Sequence, residues 1–295
     1  MRDSDPSVRL GEPSRGLHLS AKPVLLAVVS DVHCGSTIAA CPPEGVRLDD
    51  AGTYHPSVAQ SWLWEQWEDF WKSVQVRVKQ EKAKLICCYN GDLFEGNHHG
   101  STQVISNNPE PAAYLADRVF GVPRALKPDQ TFVIRGTEAH VGPSGATEEA
   151  FARSIRAVKN EHGKTWSWWH LQLEIHGRLF DFQHHGRMGQ RPWTRANIVA
   201  MLAAQIFYER AARKLRHPDI AFRSHHHQYQ DSHNAHPVRV IQTPAWQLKT
   251  AYAHKVAADS LADVGGIQVL VTPDGEMDVT AKLYQPELGP IWRIE

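Results

Sequence analysis

Carboxylate and imidazole side chains follow two apolar segments early in the chain. Asp31 and His33 come directly after residues 22–30, whose apolar and β-branched run is typical of a buried strand. Gly91 and Asp92 come directly after residues 85–90, a second run of this kind. Because side chains alternate along a strand, we expect Asp31 and His33 to share one side, where both can bind one divalent cation. The alternative is a loop aspartate that caps backbone amides beside a solvated histidine.

Asp92 has the chemistry to connect two cations. A carboxylate has two oxygens and can bridge metal ions about 3.5–4 Å apart, the separation used in two-metal hydrolysis. The glycine before it allows a tight turn that presents the carboxylate at the edge of the sheet. The alternative is a simple turn aspartate, which is common after strands. We therefore take Asp92 as the candidate bridging ligand.

Histidines follow two further strand-like segments in the second half of the chain. His225 and His227 follow residues 219–223 and are expected to share one side, whereas His226 points away. His184 and His185 lie at the end of an alternating segment that begins at residue 178; we take His184 as the ligand and leave His185 as the alternative. The alternative for residues 225–227 is a histidine stretch on the surface that binds metal adventitiously. The apolar segment before these residues argues against it.

The elements that must position these residues predict an α/β fold. Strand-like and helical segments alternate along the first half, at residues 22–30, 56–84, 85–90, 111–120, 131–135 and 146–159. This order indicates a parallel sheet with crossover helices. In the second half, turn residues at 176–177 and 273–275 predict two hairpins. We therefore expect two packed mixed sheets with helices outside, in one domain over residues 21–295 that follows a flexible tail at residues 1–20.

Composition and charge exclude several classes of protein. The 295 residues carry 32 Lys and Arg against 32 Asp and Glu, so the chain is not coated in basic surface for nucleic-acid binding. A local excess of cations over residues 187–223 predicts either a phosphate-binding patch or a solvated helix face. No apolar run exceeds seven residues, far fewer than the about 20 that a membrane span needs. The four cysteines show no C-x-x-C spacing, and we expect a cytoplasmic protein without a membrane partner.

Taken in order, these motifs resemble the calcineurin-like metallophosphoesterase superfamily. That family has D-x-H, G-D, G-N-H-[DE], a lone histidine and G-H-x-H, each after a strand. The resemblance covers about residues 24–227, and all motifs except the third match in order and residue type. It implies a four-layer α-β-β-α sandwich of two mixed sheets flanked by helices, in agreement with the order of elements above.

The resemblance also implies a set of metal ligands. One cation would be held by Asp31, His33, Asp92 and His227, and the second by Asp92, His184 and His225. Mixed histidine and carboxylate ligation suits divalent Mn²⁺, Fe or Zn²⁺, of which we expect Mn²⁺. Two cations bridged by Asp92 would activate a water molecule as a hydroxide for in-line attack on phosphorus.

The third motif departs from the family pattern. The chain has no asparagine there: Thr137 takes its position, Glu138 falls where the histidine should be, and His140 comes two residues later. The variant resembles phage-type and related bacterial members. We expect His140 to act as the transition-state histidine and Glu138 or Thr137 to complete or neighbour the second metal site. Ser224, which replaces a glycine, is expected to cost only local backbone freedom.

The resemblance predicts a dinuclear metal-dependent phosphoesterase that hydrolyses a phosphodiester in a nucleotide or nucleic acid, as a nuclease does. The alternatives are a phosphomonoesterase acting on a nucleotide or phosphoprotein, and a non-catalytic scaffold with a degraded second metal site. Asn97 and His98, which follow Asp92 on its loop, and Arg187, which follows His184, are the candidate substrate contacts. Solvated loop positions are the other interpretation of these residues. The sequence does not predict the oligomeric state.

Overall fold

A computed structural model describes residues 21–96, 103–187, 189, 194–256, 261–287 and 291–294. The predicted tail at residues 1–20 and the predicted substrate contacts Asn97 and His98 lie outside the described residues. No helix within these ranges is both long and apolar enough to cross a membrane. The four cysteines are buried and carry free thiols.

The described residues form twelve strands and six α-helices. The strands are β1 Val24–Val29, β2 Val46–Arg47, β3 Thr53–Tyr54, β4 Lys84–Asn90, β5 Gln130–Ile134, β6 Leu171–Ile175, β7 Arg178–His185, β8 Ile220–Ser224, β9 Gln230–Asp231, β10 Arg239–Gln242, β11 Val264–Val271 and β12 Met277–Tyr284. The helices are α1 Val58–Glu81, α2 Pro109–Ala125, α3 Glu138–Val141, α4 Ala146–Ser154, α5 Arg195–Ala212 and α6 Ala251–Val256.

Two five-stranded mixed sheets organise the fold, as predicted. The first has the order β12-β11-β1-β4-β5, in which β1, β4 and β5 are parallel and β11 and β12 antiparallel. The second has the order β6-β7-β8-β10-β9, with β7, β8 and β10 parallel. Both predicted hairpins are confirmed as antiparallel pairs, β6 with β7 and β11 with β12. The strands β2 and β3 form a separate two-stranded sheet that the sequence did not predict.

The alternation of side chains along the strands builds the layers. Leu25 of β1 faces α1 and packs in one core with Trp67, whereas Leu26 faces the second sheet and packs with Phe182. On the far side of the second sheet, Ala221 packs against Val199 of α5. Helices therefore cover both outer faces and an apolar core lies between the sheets, which confirms the predicted four-layer architecture.

Helix α1 shows how local sequence and core packing agree. Its N-cap Ser57 and Gln60 form a capping box, and Lys82 ends the helix in a left-handed conformation. Trp67 is fully buried, donates from Nε1 to the carbonyl of Val119 at 2.9 Å and makes edge-to-face contact with Trp71. The buried aromatic side chains of this helix therefore belong to the hydrophobic core.

Four cations among the described residues of 187–223 pair with carboxylates. Asp181 on β7 is buried and lies 2.9 Å from Arg223 and 3.5 Å from Arg210. Arg213 pairs with Glu209, and Arg216 pairs with Glu174. These four charges are neutralised within the fold, so this part of the segment is an ion-paired helix and strand.

Replacement of Asp181 by asparagine tests the buried ion pair beneath α5. Burial alone would raise the pKa of Asp181, but the hydrogen bond from His170 and the charge of Arg223 lower it to about 2. Asp181 therefore contributes stability above its unfolded pKa of about 4, and this contribution is lost as the pH falls toward 2. At pH 7, Asp181→Asn is expected to lower the free energy of unfolding by about 3–5 kcal/mol, because Arg223 remains buried without its partner.

Urea unfolding of both proteins at several pH values between 7 and 3 measures this difference. Asp278→Asn is the matched control, since its exposed pair with Arg77 should change the free energy by less than about 0.5 kcal/mol. A loss that stays the same at every pH would contradict the assignment.

Candidate metal centre

Side chains from both sheets converge at the carboxyl ends of their strands. Asp31 and His33 follow β1 and Asp92 follows β4, all in the first sheet. His184 is the second-last residue of β7, and His225 and His227 follow β8, in the second sheet. Two groups of ligand atoms, each lying within 4.8 Å of one another, are formed by Asp31, His33 and His227 and by Asp92, His184 and His225. We call them the first and the second cluster.

The first cluster has the spacing of atoms that share one ion. Nε2 of His33 lies 3.2 Å from Nε2 of His227, which lies 3.4 Å from Oδ1 of Asp31. Ligand atoms bound to a cation at 2.0–2.2 Å lie about 2.8 to 3.6 Å from one another, depending on whether the geometry is octahedral or tetrahedral. The donors of the first cluster therefore fit a single divalent cation.

The second cluster is arranged around Asp92. Oδ2 of Asp92 lies 2.9 Å from Nε2 of His184 and 3.7 Å from Nδ1 of His225. Nδ1 of His184 lies 2.7 Å from the carbonyl oxygen of Asn90, which can only accept, so Nδ1 carries a proton and Nε2 is the ligand atom. This hydrogen bond selects the tautomer that metal ligation needs.

Five of the six candidate ligand residues, all except His184, adopt left-handed backbone conformations. The φ angles are 52° at Asp31, 48° at His33, 53° at Asp92, 78° at His225 and 53° at His227. Strand alternation, the predicted reason for the convergence of these side chains, is therefore wrong. The residues lie beyond the ends of the strands, so sharp turns of the backbone rather than strand alternation direct them to one place. Each such conformation costs roughly 1–2 kcal/mol in a non-glycine residue, and strain of this kind clusters at functional sites.

Two glycines allow the loops to come this close. A Cβ on Gly136 would collide with Oδ1 of Asp92, and a Cβ on Gly91 would collide with Nδ1 of His184. Gly91 also has a φ of 88°. Both positions exclude any larger residue, which is why the loop after β5 can lie directly on the carboxylate of Asp92.

Buried negative charge draws positive charge into the site. Asp31 and Asp92 are 0% and 1% exposed. Burial alone would raise their pKa values, but the neighbouring His227 and His184 hold both below the ordinary value. In the same way, burial would lower the pKa of His184, but Asp92 and Asp31 raise it to about 10. A divalent cation supplies this positive charge without the proton, so the donor set fits a metal centre.

The third motif contributes Thr137 to the second cluster. The backbone N–H of Thr137 donates to Oδ1 of Asp92 at 2.6 Å, and its hydroxyl lies 3.1 Å from Nδ1 of His225. Glu138, predicted as a metal ligand, is not brought into either cluster. Because it begins the short helix α3, its exposed carboxylate turns outward and accepts from the backbone of Ser144 at 2.9 Å.

Glu95 links His140 to the first cluster, which sequence reasoning missed. Its Oε1 lies 3.1 Å from Nδ1 of His140 and its Oε2 lies 3.2 Å from Nδ1 of His33. The two imidazole rings meet edge to face with centroids 4.6 Å apart. The signal available in the sequence was a carboxylate on the same loop as Asp92. Burial would lower the pKa of His140, but the hydrogen bond to Glu95 and the charge of Asp92 raise it.

Glu148 is a second residue whose role the sequence did not show. Its sequence position predicts only a favourable charge in the first turn of α4. In the structure it is fully buried and accepts from the backbone N–H of Leu93 at 3.0 Å and of Gly136 at 2.6 Å. Burial and the charge of Asp92 raise its pKa to about 8. Glu148 thereby ties together the two loops that meet at Asp92.

The remaining predicted residues lie at the rim. His185 is exposed, with Nε2 3.4 Å from the hydroxyl of Thr137, and His184 takes the buried place in the second cluster. His226 is half-buried, and burial lowers its pKa to about 4. Arg187 is exposed just beyond β7. The face of the site toward His225 and His227 is open, because their side chains are 32% and 20% exposed.

The chain matches no model of a protein family and no curated protein sequence. Solved structures similar to it include Vps29 of Entamoeba histolytica complexed with Zn²⁺, at 10% identity over 88% of this chain and 99% of that chain, with a TM-score of 0.37. A dimetal phosphatase of Danio rerio is 8% identical over 88% of this chain and 98% of that chain, with a TM-score of 0.40. A 5′-nucleotidase precursor of Thermus thermophilus is 12% identical over 88% of this chain, with a TM-score of 0.39, and this chain spans 54% of its length. Such remote likenesses assign no activity, which must follow from the side chains themselves.

Replacement of Glu95 by glutamine tests its link between the two histidines. The amide has one acceptor oxygen and no charge, so it can hold only one of the two imidazoles. We expect the Mn²⁺ dissociation constant, measured by calorimetry, to rise by about 10- to 100-fold, as is usual when a partner of a ligating histidine is removed. Glu138→Gln is the control, because the structure places its carboxylate outside both clusters. If Glu138→Gln bound Mn²⁺ more weakly while Glu95→Gln bound it as the wild type does, the positions assigned to both carboxylates would be overturned.

Proposed function

We propose that this chain is a metal-dependent phosphoesterase that hydrolyses phosphodiesters, with nucleotides or nucleic acids as the substrate class. The observation that carries the proposal is the position of Asp92. Its carboxylate belongs to the second cluster with His184 and His225, and it also lies within 4.8 Å of the ligand atoms of His33 and His140. One carboxylate placed between two sets of donors is what a bridged pair of cations requires.

Each cation would be held by residues from both sheets. Asp31, His33 and His227 would hold one, His184 and His225 would hold the other, and Asp92 would be shared. Bound divalent cations supply Lewis-acid stabilisation of phosphoryl charge and activate water as a nucleophile at neutral pH. The donor set suits Mn²⁺ first, with Zn²⁺ and Fe as alternatives.

In this proposal His140 gives a proton to the leaving oxygen. A carboxylate oxygen only accepts, so the hydrogen bond to Glu95 puts a proton on Nδ1 of His140. The opposite nitrogen, Nε2, is then the atom that holds and transfers the proton during departure of the alcohol. Glu95 fixes the direction of the ring, because it also holds Nδ1 of His33.

Charge near the site supports a diester rather than a monoester. A phosphodiester carries one negative charge, whereas a phosphomonoester carries about 1.5 to 2 at pH 7 and needs more positive charge around it. The guanidinium of Arg135, on the loop before Thr137, donates to Ser144, Ser167 and Glu149. Arg223, beside the strand end that carries His225, is held by Asp181 at 2.9 Å. Both cations are therefore engaged by the protein.

The direct test compares initial rates on bis-p-nitrophenyl phosphate and on p-nitrophenyl phosphate with one Mn²⁺-loaded preparation. We expect faster cleavage of the diester. Faster cleavage of the monoester would replace the proposal by a phosphatase, and cleavage of neither, in a preparation that binds Mn²⁺, would favour a scaffold. After diester cleavage, DNA, RNA and cyclic nucleotides are the substrates to compare.

Asp92→Asn should abolish most of this activity. The amide keeps the shape of the side chain but loses the negative charge and one oxygen acceptor, so it cannot bridge two cations. We expect kcat/KM to fall by a factor on the order of 100 or more, together with a fall in bound Mn²⁺ measured by elemental analysis. Unchanged turnover in this variant would contradict the bridging role.

His140→Ala should separate proton transfer from metal binding. Loss of a general acid lowers turnover by about 10²- to 10⁴-fold. We expect kcat to fall within this range while the bound Mn²⁺ per chain stays at the wild-type value. Loss of metal in proportion to activity would instead make His140 a ligand of the first cluster, which lies beside it.

A further inference from the structure

Four fully buried polar side chains lie directly behind the metal ligands. Ser30 precedes Asp31 in the chain, Asn90 ends β4 just before the Gly91–Asp92 turn, and Ser224 precedes His225. Thr243 follows β10, next to β8 in the second sheet. All four are 0% exposed. Buried polar groups of this kind cost stability unless they are hydrogen-bonded, so their partners are informative.

These side chains form one continuous chain of hydrogen bonds. Nδ2 of Asn90 donates to Oγ of Ser224 at 2.7 Å. The hydroxyl of Ser224 lies 2.7 Å from that of Thr243, which lies 2.6 Å from that of Ser30. Nδ2 of Asn90 also reaches the carbonyl of Gln183, the residue before His184, at 3.2 Å. We call this set the hydroxyl chain.

The directions of these hydrogen bonds are consistent from end to end. Because Ser224 accepts from Asn90, its own proton can be donated to Thr243. The single proton of Thr243 can be donated to Ser30 or to the carbonyl of Arg223 at 3.2 Å, and Ser30 donates to the carbonyl of Pro244 at 3.3 Å. In either arrangement each of the three hydroxyls makes at least one hydrogen bond, so none is left unsatisfied. Hydrogen bonds linked in this way polarise one another.

The hydroxyl chain crosses between the sheets twice. Asn90 ends β4 and Ser30 directly follows β1 in the first sheet, whereas Ser224 ends β8 and Thr243 directly follows β10 in the second. Each metal cluster likewise takes ligands from both sheets. The apolar core between the sheets favours contact but has no directional preference. Hydrogen bonds with fixed lengths and angles do define how the two sheets are placed relative to each other.

We propose that Ser224 and Thr243 are positioning residues that fix the spacing of the two sheets at the metal centre, an inference that rests on the proposed function. Ser224 stands where the family resemblance expects glycine. The left-handed turn falls on the next residue, His225, with a φ of 78°. Ser224 is therefore able to supply a hydroxyl to the hydroxyl chain, which holds the strand ends that carry His184, His225 and Asp31.

Paired substitutions of Thr243 separate the hydroxyl from the methyl group. Thr243→Val keeps the shape but removes the hydroxyl that joins Ser224 to Ser30, and Thr243→Ser keeps the hydroxyl but removes the methyl. We measure the dissociation constant of Co²⁺ by calorimetry and the visible absorption spectrum of the Co²⁺-loaded protein, which reports ligand geometry. We expect Thr243→Val to weaken Co²⁺ binding by about 10- to 100-fold and to change the spectrum. Thr243→Ser should keep both the Co²⁺ dissociation constant and the spectrum close to those of the wild type.

Ser232→Ala is the matched control for lost stability. Ser232 is also buried in the second sheet, where its hydroxyl accepts from the backbone of Val240 at 2.8 Å, but it is outside the hydroxyl chain. We expect the melting temperature of Ser232→Ala to fall while its Co²⁺ dissociation constant and its Co²⁺ absorption spectrum stay the same as in the wild type. If Thr243→Val behaves like this control, the positioning role is overturned and the proposed function stands. Failure of the wild type to bind Co²⁺ would overturn the proposed function and the positioning role together.

Discussion

Two buried carboxylates, Asp31 and Asp92, set the constraint on which the rest of the site depends. Water cannot stabilise their charge, and together they raise the pKa of the buried His184 to about 10. Positive charge must therefore be present between the sheets, either as imidazolium or as metal ions. The histidines of the second sheet are placed where they can bind such ions. The balance of charge thus defines the junction of the two sheets.

The backbone conformations around these carboxylates are costly and are held by the surrounding fold. The ligands with left-handed φ angles follow strands that are rigid because both of their faces are packed. Glu148 binds the loop after β4 and the loop after β5 at once, and Gly136 lets those loops touch. Strained turns persist where their surroundings leave no alternative. The large cores on both sides of the first sheet provide such surroundings.

The altered third motif still supplies polar groups to the site, but through different atoms. Thr137 brings a hydroxyl and a backbone N–H to Asp92 and His225, in the place where the family resemblance expects an asparagine. His140 comes later in the chain and reaches the first cluster because the turn of α3 brings it back to His33. Glu95 then contacts His33 of the first cluster and His140 through one carboxylate.

The sequence by itself determined the order of the main strands and helices, both hairpins and the residues that follow or end the ligand-bearing strands. These follow from hydrophobic periodicity and turn residues, which are local properties. Only the tertiary structure decided that His184 rather than His185 lies inside, that Glu138 turns outward, and that Glu95 meets His140 from 45 residues away. Those outcomes depend on how separate loops pack and on left-handed turns beyond the strand ends. Neither leaves a periodic pattern in the sequence, because a loop side chain is directed by its own φ and ψ and by its distant neighbours.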